Sequence, residues 1–142
     1  MPMMRRTPEE LRAKIYSGNW GRREFTILQE RFGDDALFQV LYLVFCDPDP
    51  PGNPYEHQDF AGSLLVELNP SCPMSAVEFL RTTLPIWNRS VEQLPFYVER
   101  QFGHKETIKA IESIETDPVL SESLSTKLST CRYWLRAQLD SQ

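Results

Sequence analysis

The most apolar stretch of the chain is residues 36–46, with the sequence ALFQVLYLVFC. Ten of these eleven residues are apolar, and Gln39 is the single polar position. Elsewhere the apolar residues recur in amphipathic stripes or stand between turn-forming residues. We therefore expect residues 36–46 to form the centre of the hydrophobic core, with the other elements packed around them.

The secondary structure of residues 36–46 is decided by the flanking sequence. Valine and aromatic residues favour a strand, and periodicity does not settle so short an apolar run. However, Gly33 is typical of a helix end, and the next two residues, Asp34 and Asp35, are typical caps of a following helix. The Asp47-Pro48 pair after the run is typical of the end of that helix. Eleven residues also exceed the usual strand of about five or six. The sequence predicts a buried helix, which is shorter than the roughly 20 residues that cross a membrane.

Apolar residues at spacings of three and four predict further helices along the chain. Turn-forming segments separate them, above all the proline-rich residues 47–54, DPDPPGNP. Ser90 and Gln93 have the spacing of a capping box, but Pro95 indicates a tight turn over 90–94 and a helix that starts at residue 95. Trp20 is expected to pack between the first two helices. The predicted helices are 7–18, capped by Thr7, then 21–32, 36–46, 55–68, 74–84, 95–102, 104–115 and 121–139.

Three of the helix joints look alike, and they recur at a regular interval. Each ends an amphipathic helix at a turn-forming residue, Gly33, Asn69 or Gly103, with separations of 36 and 34 residues. A period in the mid-thirties with two helices per unit is typical of an α-solenoid. The sequence therefore predicts one all-α domain over 1–142, frayed at 1–6 and 140–142. It is either a short HEAT-like α-solenoid or an irregular helical bundle of about seven to eight helices.

Composition and charge narrow the classes of partner. The chain contains fifteen Lys and Arg residues and twenty Asp and Glu residues, which gives a net charge of −5. This charge disfavours nucleic acid as a partner and favours a partner with a basic protein surface. The alternative is that the charge only keeps the protein soluble. The three cysteines show no paired spacing, which is typical of a reducing compartment. Without a signal-peptide or membrane-anchor pattern, we expect a cytoplasmic protein.

The sequence contains no motif that predicts catalysis or cofactor binding. Its two histidines, His57 and His104, lack companions at metal-ligand spacing, and its glycines form no phosphate-binding loop. We therefore expect a protein that is not an enzyme, with no metal and no cofactor. The alternative is an enzyme with an unrecognised site around His57 and the carboxylates near it.

The clearest polar cluster is the segment 47–59, DPDPPGNPYEHQD. Proline stiffens the loop before a partner arrives, tyrosine is an effective contact residue, and clustered carboxylates suit a basic partner. The alternatives are a solvated loop whose acids favour the start of the next helix and, less well supported, a calcium site, for which the EF-hand pattern is missing. The predicted partner-binding residues are Asp47, Asp49, Tyr55, Glu56, His57 and Asp59.

Three segments in the second half of the chain carry a resemblance to a known group of proteins. They are residues 87–97, WNRSVEQLPFY, then Phe102-Gly103, and 132–135, RYWL. In these the chain resembles the small helical immunity proteins encoded beside bacterial polymorphic toxins. The resemblance covers about the last 60 residues, and it implies an acidic, non-catalytic cytoplasmic protein that binds a cognate toxin domain and occludes its active site. It assigns no functional residue, and a structural adaptor in a larger assembly is the alternative.

Overall fold

The structure, a computed structural model, describes residues 8–18 and 21–140. The predicted Thr7 cap, the predicted packing of Trp20 and the predicted frayed residues 1–6 and 141–142 lie outside these residues. Asp140, also predicted to be frayed, is the last residue of a helix. The described part of the chain is all-α and contains eight helices and no strand, which confirms the predicted fold class. The helices are α1 (Pro8–Tyr16), α2 (Arg22–Phe32), α3 (Asp34–Cys46), α4 (Pro54–Leu68), α5 (Ala76–Thr83), α6 (Gln93–Phe102), α7 (His104–Glu115) and α8 (Glu122–Asp140).

Helix α3 lies at the centre of one half of the molecule, as the apolar run predicts. It packs against α1, α2, α4 and α5, and its exposed Gln39 faces away from them. Burying each large apolar side chain stabilises the fold by roughly 1.5–3 kcal/mol, so α3 is a major source of stability. Its buried residues are Leu37, Phe38, Val40, Leu41, Val44 and Phe45. None of the helices in the described ranges has the length and apolarity that a membrane span requires.

The three similar joints do end helices, and each has a residue with a positive φ angle. Gly33, Asn69 and Gly103 follow α2, α4 and α6, with φ angles of 89°, 47° and 86°. Positive φ suits glycine and is tolerated by asparagine, which explains these residue types. The helices form an all-α bundle, and the HEAT-like repeat stays a prediction.

Side chains from α2 and α6 bring these joints together. The Gln29 amide donates to the carbonyl oxygen of Leu68 at 2.9 Å, and the Gln101 amide donates to the side-chain oxygen of Asn69 at 2.7 Å. The segment that follows α4 is thereby held between the ends of α2 and α6. These bonds satisfy polar groups at a helix end that would otherwise need water.

Asp34 does not cap α3, contrary to the prediction. The N-cap position belongs to Gly33, and Asp34 occupies the first turn. Its carboxylate instead accepts hydrogen bonds from the backbone N–H of Ser71 at 2.8 Å and from the Gln29 amide at 3.1 Å. These bonds, the one from Ser71 above all, lower the pKa of Asp34. The residue joins two distant segments rather than ending one helix.

Two further predictions about the helices are wrong. The helix predicted from residue 95 begins at Gln93, after an N-cap residue, Glu92, that makes no side-chain cap, so Ser90 and Gln93 form no capping box. Pro95 falls in the first helical turn, where no backbone N–H bonds within the helix, and its missing N–H costs nothing there. The helix predicted over 74–84 is shorter and spans Ala76–Thr83, because Ser75 is its N-cap and its side-chain oxygen accepts from the backbone N–H of Glu78 at 3.1 Å.

Candidate protein-binding surface

The loop 47–53 between α3 and α4 is fixed to the end of α1. The Tyr16 hydroxyl donates to a carboxylate oxygen of Asp47 at 2.8 Å, and a guanidinium nitrogen of Arg12 lies 3.7 Å from the same oxygen. The other oxygen of Asp47 accepts from the backbone N–H of Asp49 at 3.0 Å. Burial, reinforced by the adjacent Asp47, raises the pKa of Tyr16, so its hydroxyl stays protonated and can donate. The side chain of Asp47 therefore stabilises the loop by bonds within the protein.

His57 is the second fixed point of the loop, and it does not lie on the surface. Its side chain is only 4% exposed, and its Nε2 atom lies 2.6 Å from the carbonyl oxygen of Pro51. Since a carbonyl only accepts, Nε2 must carry the proton and donate. The ring also packs against Tyr16, with centroids 4.7 Å apart. His57 was predicted to contact a partner, but in the folded chain its ring is turned inward and holds the loop.

The loop leads into a well-defined helix start. The side-chain oxygen of Asn53 accepts from the backbone N–H groups of Tyr55 at 3.0 Å and Glu56 at 3.4 Å, and Pro54 is the first residue of α4. An asparagine cap followed by proline is a stable start. Tyr55 is 41% exposed and Glu56 is exposed as well. Within the described residues, neither side chain forms a hydrogen bond or an ion pair.

Tyr55 and Glu56 lie beside a shallow cleft of about 360 Å³. Asp59, one turn along α4, contributes a second carboxylate, and one of its oxygens accepts from the Gln93 amide at 2.9 Å. The buried ring of Phe60 adds apolar surface. The cleft is lined by Arg22, Tyr55, Glu56, Asp59, Phe60 and Ser63.

Arg22 is the one cation in the lining of this cleft, and its charge is already matched. Its guanidinium pairs with the carboxylate of Glu67 and lies 6.0 Å from the centre of the Phe60 ring. Glu56 and Asp59 therefore leave the cleft with an excess of negative charge.

Sequence reasoning missed one residue that shapes this surface, Gln58. Its side chain is 2% exposed, donates to the carbonyl oxygen of Ile86 at 3.0 Å and accepts from the backbone N–H of Asn88 at 2.8 Å. These bonds tie the start of α4 to the turn between α5 and α6. Gln58 shares a helical stripe with Ala61 and Leu65, and that position was the available signal for its burial.

The six predicted contact residues therefore divide into two groups. Asp49, Tyr55 and Glu56 are exposed and Asp59 lines the cleft, whereas Asp47 and His57 bond within the protein. In the described part of the chain, no three His, Cys, Asp or Glu side chains are placed to share a metal ion. The arrangement is an aromatic and acidic surface on a fixed loop and helix start, which suits contact with a basic group of a partner.

Comparison with known proteins adds no functional assignment to this surface. No protein-family model, no curated protein and no solved structure matches the chain. The function is therefore argued from the residues of the surface and from their geometry.

Proposed function

We propose that this chain is a non-catalytic binding protein whose partner binds at Asp49, Tyr55, Glu56 and Asp59, which we call the acidic surface. The observation that carries the proposal is the pair of exposed side chains, Tyr55 and Glu56, which have no described partner although they lie on a rigidly held helix start. Exposed tyrosine is enriched at the energetic centres of protein interfaces.

The fixed loop supports this proposal through entropy. Association requires mobile side chains and loops to become ordered, at about 0.5–1.5 kcal/mol for each immobilised side chain. Here the bonds to Asp47 and from His57 order the loop in the free protein. A partner would find the acidic surface already formed, and more of the contact free energy would appear as affinity.

Charge indicates the kind of partner. The cleft carries Glu56 and Asp59, its single cation Arg22 is paired with Glu67, and the whole chain has a net charge of −5. A partner with Lys or Arg side chains around an apolar centre would match this surface. Charge complementarity of this kind raises the association rate and selects between partners.

In its specific form, the proposal is that the protein is an immunity protein that neutralises a cognate bacterial toxin in the cytoplasm by covering its active site. The support is the resemblance carried by residues 87–97 and 132–135. In the fold, Trp87 of the first segment is buried, and its indole N–H donates to the carbonyl oxygen of Val91 at 2.8 Å. Inhibition by occlusion needs a complementary surface and no catalytic residue, so a binding surface without a metal site suits this role.

Co-expression with the product of the gene immediately upstream tests this function. Growth of cells that express the upstream toxin domain should be restored, and a one-to-one complex should purify. The triple variant Asp49→Lys, Tyr55→Ala, Glu56→Lys should lose the complex, since it reverses two charges and removes the aromatic contact. Glu112→Lys, a charge reversal at an exposed position of α7, is the matched control and should retain it.

The outcomes separate the two levels of the proposal. A harmless upstream product, or the absence of a complex, would refute the immunity function. Rescue that survives the triple variant, with the variant folded by circular dichroism, would refute the acidic surface and leave the immunity function standing.

A structural adaptor is the second candidate function, and one observation favours it. Tyr133, on α8, is 63% exposed, so a large aromatic side chain is available on an element other than α4. An adaptor would hold two components together and would purify with both. Removal of either component should leave the other bound.

A further inference from the structure

A second group of exposed side chains lies where α8 meets the turn between α5 and α6. Tyr133 points away from the buried side of α8, and its ring lies edge-on to that of Trp134, with centroids 5.2 Å apart and planes at 67°. The Trp134 indole N–H donates to the carbonyl oxygen of Arg89 at 2.9 Å. The aromatic pair is therefore fixed to the turn that carries Arg89.

Two cations accompany this aromatic pair. The Lys127 ammonium donates to the carbonyl oxygen of Pro85 at 2.7 Å, which brings it to the same turn as the exposed Arg89. Partial burial, and secondarily the charge of Arg89, lower the pKa of Lys127. Among the described residues neither cation forms an ion pair, and the exposed Glu92 on the same turn reaches neither of them.

The charge of these two cations is opposite in sign to the net charge of the whole chain, −5. Two neighbouring cations without a carboxylate raise each other's electrostatic energy, and an approaching carboxylate would lower it. Tyrosine, tryptophan and arginine are also the residues most enriched at interface hot spots. An edge-to-face aromatic pair held by a hydrogen bond loses little side-chain entropy on binding.

We propose that Arg89, Lys127, Tyr133 and Trp134, which we call the basic aromatic patch, form a second docking surface, and that it binds an acidic segment of a protein partner. Carboxylates of that segment contact Arg89 and Lys127, while its apolar atoms cover the Tyr133 ring. The charge preference is opposite to that of the acidic surface. The two surfaces therefore select different segments, whether these belong to one partner or to two.

The test is a titration of the isotopically labelled full chain, followed by NMR, with an oligoglutamate peptide as the probe. The indole N–H resonance of Trp134 should shift saturably, and the shift should weaken as salt is added. Oligolysine of the same length should leave this resonance in place. Arg89→Glu should abolish binding, and Tyr133→Ala should weaken it about tenfold.

Two variants serve as controls for charge and for exposed apolar area. Arg23→Glu reverses an exposed charge on α2, a helix that packs against α3. Val119→Ala shortens an apolar side chain that is 84% exposed in the loop before α8. Both variants should bind oligoglutamate as the unmodified chain does. If Arg89→Glu does not fold, Arg89→Ala replaces it, with the same loss expected.

Several results would overturn the proposal. They are an unmoved Trp134 resonance at saturating oligoglutamate, an equal response to oligolysine, and unchanged binding by the folded Arg89 variant. Tighter binding of single-stranded oligodeoxythymidine would assign the patch to nucleic acid instead. Shifts that depend on protein concentration alone would assign it to a second copy of the chain. None of these results bears on the acidic surface, whose own variants lie on the α3–α4 loop and α4.

Discussion

At the scale of single residues, His57 and Asp47 are the two side chains that hold the loop. The contribution of His57 can be separated from that of the fold as a whole. One hydrogen bond from its Nε2 atom reaches the exposed Pro51, and its Nδ1 atom is buried without a hydrogen-bond partner. A residue that leaves one of its own polar atoms unsatisfied contributes little to global stability. Replacing His57 should therefore change the mobility of the loop between α3 and α4 more than the stability of the whole protein.

We predict that His57→Leu loosens this loop and hardly changes the stability of the whole protein. Losing a hydrogen bond worth about 1 kcal/mol should speed amide exchange at Asp49, whose N–H bonds to Asp47, about five- to tenfold. The free energy of unfolding should change by less than about 1 kcal/mol, because the variant also removes the unsatisfied Nδ1 atom. Hydrogen exchange and urea unfolding measure the two effects.

His57→Gln is the matched variant for this prediction. Its side-chain amide can place a donor near the position of Nε2, so exchange in the loop should stay close to that of the unmodified chain. Equal exchange rates in the leucine variant and the unmodified chain would show that Pro51 is held by other contacts.

The residues of the acidic surface show what a sequence can and cannot reveal about a site. Asp49, Tyr55 and Glu56 were correctly expected to be exposed, because proline and asparagine marked a loop that leads into a helix. The inward positions of Asp47 and His57 could not be predicted. Their partners, Tyr16 and Pro51, become neighbours only through the packing of α1 against α3 and through the turn of the loop itself.

At the scale of helices, α4 and the start of α6 approach each other closely at Gly62. A Cβ atom added there would lie 2.9 Å from the Cβ of Gln93 and 3.3 Å from a methyl carbon of Val91. The first distance is shorter than real Cβ contacts allow, and Gln93 cannot yield without moving its backbone. Gly62 therefore sets the spacing of these two helices.

We predict that Gly62→Ala destabilises the protein, although alanine favours a helix over glycine by about 1 kcal/mol. Overpacking of a well-filled contact costs about 1–3 kcal/mol, which equals or exceeds that gain, and the bonds from Gln93 to Asp59 would be strained as well. Urea unfolding should show a net loss of about 1 kcal/mol. Ser129→Ala, at an exposed position of α8, should change stability by less than about 0.5 kcal/mol. A more stable Gly62→Ala protein would mean that the two helices can separate freely.

The helices themselves were largely predictable, because their ends carry local signals. Gly33, Asn69 and Gly103 each marked a true helix end, and the run 36–46 was correctly assigned as a buried helix. The start of α6 was wrong by two residues, because the sequence does not show that Pro95 falls within a first turn. How α4 packs against α6 depends on contacts between segments about 30 residues apart, for which no local pattern exists.

At the scale of the whole molecule, the arrangement of helices bears on whether the chain unfolds as one unit. Helix α3 packs against α1, α2, α4 and α5, while α6 packs against α4, α7 and α8. The contacts of α4 with α6 and of α5 with α7 thus join the two halves of the bundle. In an α-solenoid each repeat contacts only its neighbours, and an end can unfold alone.

We predict that the chain unfolds in one cooperative transition, as a single domain would. Far-ultraviolet circular dichroism, which follows all the helices, and tryptophan fluorescence, to which the buried Trp87 contributes, should give the same urea midpoint and the same slope. Gly62→Ala should shift both midpoints equally, because it weakens one of the two helix contacts that join the halves. Separate midpoints for the two signals, or a shift confined to one of them, would contradict the single-domain prediction and favour a repeat array whose ends unfold independently.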